Sequence, residues 1–351
     1  MDYSYNFPAV RGIQAGTEYY IGMIPYKLLS KMFITNPNEI LPEYRAQRKI
    51  NYSRVPIIKD YIIKNRESYV FSALAASIDG DFEFISFEGM DLGVLKVSMD
   101  SVFLINDGQH RKTAIDLAIE EDQSLGDETI PVVFFKDKGL KRSQQMFTDL
   151  NKHAVNTSKS LNTLYDSNDP IAILTREVIR KIDFFDMYTD KESDTLGKYS
   201  KNLFTLNNFY QANVELINGI NINKEVKDFV LKFWILIQKN VVEWNDLKNK
   251  IITKKSLREN YIITQGVVLQ AFGKLGNFLF KNNQYDLKTT LKKINNINWL
   301  RSNRIWENRT LINGKVVKSK STINLTYLKI KELLNLPLND TEMKLNRNIH
   351  K

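Results

Sequence analysis

Apolar residues follow two patterns along the chain. Up to about residue 166 they come in short runs bounded by turn residues, as in strands; after Asn168-Asp169-Pro170 they recur every three or four positions, as on helices. In the first part, residues 19–24 read as a strand, Pro25 opens a short helix through Lys31-Met32-Phe33, and Pro37 and Pro42 mark a loop. Pro56 suits a first helical turn, and Ile58, Tyr61 and Ile62 share a face, which predicts a helix over 53–64. Residues 69–78 read as a buried strand, Asp79-Gly80 as a tight turn and 82–87 as the hairpin partner. Residues 93–97, 102–105 and 130–135 add strands; 109–121 and 141–150 add helices.

The second part carries three apolar stripes at helical spacing. They begin at Ile171 and Leu174, at Val226 and Phe229, and at Val268 and Phe272. Near the end, Asn313-Gly314 between Leu311-Ile312 and Lys315-Val316-Val317 is a hairpin signal, followed by Lys318, Lys320 and a helix over 324–334. The expected fold class is therefore α+β: a mixed, partly curled sheet with helices over 1–166, then a mainly helical domain over 167–351 with a small basic hairpin. A chain of 351 residues also exceeds one comfortable core.

Charge sharpens the division. Residues 1–150 hold 17 Lys+Arg and 21 Asp+Glu, whereas 151–351 hold 33 and 19, so the net charge of +10 arises entirely in the second half. A basic surface attracts nucleic acid, anionic lipid or acidic protein, and without an amphipathic basic anchor nucleic acid ranks first. The absence of cysteine excludes disulfides and thiolate zinc sites, and three histidines make a histidine-rich metal centre implausible. No signal-peptide pattern opens the chain, and the apolar segment 229–237 is too short to span a bilayer; the reading is a cytoplasmic protein without membrane association.

The stretch with the clearest chemistry is 102–115, where an apolar run ends in Asn106-Asp107-Gly108 and a helix follows. The first amides of such a helix lack intrahelical partners and can bind phosphate, with Arg111 offering a planar charged fork beside them. Asp107 is expected to cap the helix, with catalysis or metal binding as the rarer role. Gln109 and His110 could add hydrogen bonds, and Gln47, Arg48 and Arg54, with Arg45, could reach the same phosphate from an opposite wall. Candidate DNA contacts are Asn151, Lys152, His153, Lys159, Arg309, Lys315, Lys318 and Lys320.

Asp107-Gly108-Gln109-His110-Arg111 resembles the signature of the DGQHR-domain family, itself similar to the ParB and sulfiredoxin superfamily. The ordered set of stretches 7–16, Arg45-Ala46-Gln47-Arg48, Phe71-Ser72-Ala73-Leu74, the central box and 144–154 resembles the DndB family of DNA phosphorothioation systems. That resemblance implies a ParB/sulfiredoxin-like N-terminal domain. It also implies a DNA-binding transcriptional regulator acting on double-stranded promoter DNA of the modification genes, with other proteins of the system as further partners. Sulfiredoxin chemistry is excluded, because Gln109 stands where that family's cysteine would lie. The alternative is an NTPase or nuclease acting through the box. No cofactor is required by the first reading; the second calls for a nucleotide, ATP or CTP, with Mg²⁺.

Overall fold

The computed structural model describes residues 3–33, 50–137, 139–152, 157–197 and 199–347. The chain divides into two compact units, Met1–Val155 and Asn156–Lys351.

The first unit is built on a seven-stranded sheet. Its strands are β1 (Ser4–Gln14), β2 (Thr17–Pro25), β3 (Leu74–Asp79), β4 (Phe82–Ser86), β5 (Leu92–Ser98), β6 (Val102–Asp107) and β7 (Thr129–Lys136). They lie in the order β4-β5-β1-β2-β7-β3-β6, antiparallel except where β3 runs parallel to β7. Helices α1 (Tyr26–Met32), α2 (Val55–Lys64), α3 (Gln109–Glu121) and α4 (Leu140–Lys152) complete the unit.

Two residues, Gly80 and Asp81, join β3 near one end of that order to β4 at the other. So short a link spans only about 10 Å, so the sheet must curl until its two margins approach. Tyr5 of β1 accordingly meets Phe103 of β6, with ring centroids 6.1 Å apart, although three strands separate them in the hydrogen-bonded order. The buried faces of Phe7, Ile24, Leu74, Ile105 and Phe134 fill the curl, and Leu29, Ile62 and Ile115 bring α1, α2 and α3 onto it.

Two expectations change here. The segment 82–87 does form a strand, but it pairs with β5 and not with the strand before it. That preceding strand is shorter than its apolar run, beginning at Leu74, and it is taken by β6 and β7 instead. The long strand β1 went unforeseen. It turns into β2 through Ala15 and Gly16, both at positive φ (49° and 69°), a geometry Ala rarely signals.

The second unit is mainly helical. Its helices are α5 (Lys159–Tyr165), α6 (Pro170–Lys181), α7 (Asp183–Tyr188), α8 (Leu206–Leu216), α9 (Lys224–Asn240), α10 (Val242–Lys248), α11 (Lys254–Asn260), α12 (Gly266–Lys281), α13 (Leu287–Lys292), α14 (Lys320–Leu333) and α15 (Asp340–Arg347). Its core is an aromatic cluster in which Phe185, Phe204, Phe209, Trp234 and Trp244 are fully buried. Trp299 and Trp306 stack beside it, with centroids 5.1 Å apart. Buried Asn213 bridges three helices, donating to Thr175 (2.9 Å) and accepting from the Trp234 indole (2.8 Å).

Near the end, Leu311–Ile312 pairs antiparallel with Lys315–Val316 across Asn313 and Gly314, whose φ angles of 51° and 72° suit a two-residue turn. The helix that follows starts earlier than its apolar spacing suggests, because Ser319 and Thr322 close a reciprocal capping box at its start.

Candidate functional site

The box lies where β6 passes into α3. Pairing of β3 with β6 slips by one residue, so that Ala75 faces Asp107 while Ala76 faces Ile105, a bulge centred on Asn106. Bulges redirect the residues that follow. Gly108 then takes φ 102° and ends the turn as the N-cap of α3. A β-carbon there would also lie 2.2 Å from Cδ2 of Leu74, so both backbone angle and space require glycine.

Asp107 is not the cap. Its carboxylate turns to Arg111 one helical turn on, at 2.6 Å, and the N-cap position is Gly108, which has no side chain to cap with. The other guanidinium nitrogen of Arg111 donates to the carbonyl oxygens of Ser72 (2.7 Å) and Ala73 (3.1 Å), and to the Ser72 hydroxyl. Arg111 thus ties the start of α3 to the segment entering β3. His110 is buried, and its Nε2 accepts from the backbone N–H of Asn51 (2.9 Å), which assigns that nitrogen as unprotonated. Gln109 is 9% exposed, with its amide nitrogen buried and without a hydrogen-bond partner among the described residues. Next to them, buried Lys112 pairs with Asp116 at 2.8 Å.

Of the opposite wall, Arg54 is exposed immediately before α2. Arg45, Gln47 and Arg48 lie outside the described residues. The anchors Asn51, Ser72 and Ala73 were not singled out as site residues by sequence reasoning. A signal existed, since Phe71-Ser72-Ala73-Leu74 is one of the stretches carrying the resemblance, and the fold brings it against the box.

Among the sequence candidates for DNA contact, Lys159, Lys315 and Lys320 are exposed residues of the second unit, and Lys318 is exposed along its length but carries a partly buried ammonium. Lys318 and Lys159 lie close enough to interact. Burial of its ammonium, then the neighbouring charge of Lys159, lowers the Lys318 pKa, while Asp194 opposes them. Asp194 itself accepts from the backbone N–H groups of Lys159 and Ser160, both at 2.9 Å, and so occupies the start of α5. Arg309 does not belong to this surface. It is 6% exposed, and its guanidinium donates to Asn346 (2.6 Å) and toward the Leu325 carbonyl, inside the fold. Asn151 and Lys152 end α4, and His153 lies outside the described residues.

Among the described residues no group of three or more His, Asp or Glu is placed to hold a metal ion, and no helix is long and apolar enough to cross a membrane. A family model named DndB and described as DNA-sulfur modification-associated matches residues 7–337. No curated protein and no solved structure matches the chain significantly.

Proposed function

The chain belongs to the DndB family, and from that membership we propose that it is a cytoplasmic, DNA-binding transcriptional regulator of a DNA phosphorothioation system, acting on double-stranded DNA at the promoter of the modification genes. One observation carries the DNA-binding part. All of the excess positive charge lies in the second half of the sequence, and there Lys159, Lys315 and Lys320 stand exposed, with Lys318 exposed along its stem. The proximity of Lys318 to Lys159 concentrates two positive charges, which a phosphate would relieve. Binding through such contacts releases counterions, so affinity should fall steeply with salt.

The test is gel-shift or anisotropy titration with promoter DNA at several salt concentrations. Replacing Lys315, Lys318 and Lys320 together by Ala should weaken binding to all sequences alike and reduce the salt slope by roughly one per lost contact. A slope unchanged from the parent protein would remove these lysines from the interface.

A second reading keeps a nucleotide at the box, with a ParB/sulfiredoxin-like first unit. The buried amide of Gln109, unpartnered among the described residues, favours it, since such a group is satisfied by a ligand oxygen. A phosphate seeking Arg111, however, has to displace Asp107 or the Ser72 and Ala73 carbonyls from the guanidinium.

A further inference from the structure

The second unit contains a cleft of about 560 Å³, between residues 199–201, α11 and Arg301. That is the size of a small-ligand site, and too small and concave to admit a duplex. Its ionisable lining is one-sided: Lys201, Lys254, Lys255, Arg258 and Arg301 surround a single carboxylate, Glu259.

Arg301 is the decisive member. It is partly buried, and its guanidinium donates to the carbonyl oxygens of Arg258 (3.0 Å) and Tyr261 (3.3 Å). Those dipoles orient the fork without neutralising it. Burial lowers its pKa, and no carboxylate among the described residues opposes that effect. A half-buried cation in this state gains from any anion that enters the cleft.

Arg258 fixes the wall. It donates to the carbonyls of Gly197 (2.9 Å), Ser200 (3.3 Å) and Leu196 (3.4 Å), binding the loop to α11. The sixteen-residue α12 also begins at the cleft's border, where the lining residue Gln265 makes no side-chain cap bond. The positive end of the helix dipole adds to the field there. Tyr199, 90% exposed, completes the lining with an aromatic face.

We infer that this cleft binds the phosphate group of a nucleotide-sized small molecule, with Arg301, Lys254 and Lys255 holding phosphate oxygens and Tyr199 bordering the base. Lysines lining one cleft with an arginine fork suit a phosphate, and the concave walls strengthen each contact. The site is distinct from the box and from the exposed lysines near the hairpin, and does not depend on either.

The test uses the full chain and fluorescently labelled ATP, CTP, GTP and AMP, with inorganic phosphate as competitor. Saturable binding of at least one nucleotide is expected, displaced by phosphate. Lys254→Ala/Lys255→Ala, on side chains whose loss leaves no buried cavity, should weaken it at least tenfold. Arg301→Gln, checked for folding by its melting curve, should do the same, whereas Arg111→Ala should retain parental affinity within about twofold. Loss of binding in Arg111→Ala but not in the lysine double variant would overturn the assignment in favour of the box. Absence of binding by any free nucleotide would overturn it too, including the case in which only a 5′-phosphorylated oligonucleotide binds.

Discussion

Arg111 is the side chain whose removal most sharply separates architecture from ligand binding. Replacing it by Ala deletes a 2.6 Å ion pair with Asp107 and charge-assisted bonds to the carbonyls of Ser72 and Ala73. The side chain of Asp107 is 43% exposed, so solvent screens the pair and its share is at most about 1 kcal/mol. The carbonyl bonds matter more. The Arg111 side chain is only 16% exposed, and a charge-assisted bond lost at such a site costs about 1.5–3 kcal/mol, reduced where water can enter the vacated space. The expected loss is roughly 3 kcal/mol, or about 6–12 °C in melting temperature for a unit of this size.

The assay exploits a feature of the sequence. All four tryptophans, Trp234, Trp244, Trp299 and Trp306, belong to the second unit, so their fluorescence reports on that unit directly. Arg111→Ala should therefore lower the far-ultraviolet circular dichroism transition while leaving the tryptophan transition in place. Arg111→Lys should recover less than half of the loss, since one ammonium cannot span Asp107 and the two carbonyls together. An unshifted dichroism transition, combined with loss of nucleotide or DNA affinity, would refute this reasoning and make the guanidinium a ligand group.

Two further substitutions probe the units separately. Gly108→Ala should destabilise the first unit by about 2–4 kcal/mol, combining backbone strain at φ 102° with the overlap on Leu74, and a melting curve like the parent's would count against that geometry. Glu243 tests the second unit, because burial raises its pKa from the usual 4.5 to about 6 and its Oε2 lacks a partner among the described residues. With the folded value above the unfolded one, the folded state holds the extra proton, so stability is greatest below about pH 4.5 and falls as pH rises through 6. Glu243→Gln should abolish that fall and gain at most about 2 kcal/mol at pH 7, read from tryptophan fluorescence in denaturant at pH 4.5, 6 and 7.5. An unchanged pH profile would refute it.

What the sequence revealed was mostly local. The helix from Gln109 to Glu121 and the special backbone at Gly108 follow from an apolar run, a turn triplet and an amphipathic segment, all within twenty residues. The Asn313-Gly314 turn was equally legible, since both residues tolerate positive φ. Strand pairing was not. Asp79-Gly80 has the chemistry of a hairpin turn, yet the hydrogen bonds of β3 go to β6 and β7, and those of β4 go to β5. The choice depends on a curled sheet that includes β1, whose small and polar residues, with Pro8, give a weak strand signal.

The same limit governs the charged groups. Arg111 and Arg309 resemble surface phosphate ligands in a one-dimensional reading, because the carbonyls that hold Arg111 lie 38 and 39 residues away, with only Asp107 close by in sequence, and the acceptors of Arg309 lie 16 and 37 away. Arg301 is the converse. Nothing near it in sequence marks a site, and only the fold brings it beside Lys254, Lys255 and Lys201. An arginine's role is thus decided by which anions or dipoles reach it first. Where protein groups neutralise it, as Asp107 does for Arg111, a ligand must compete; where only carbonyl dipoles orient it, as at Arg301, a ligand completes the electrostatics. On that criterion, among the described residues, the cleft proposed as a phosphate site in the second unit offers an arginine that no carboxylate claims, even though the most recognisable motif lies in the first.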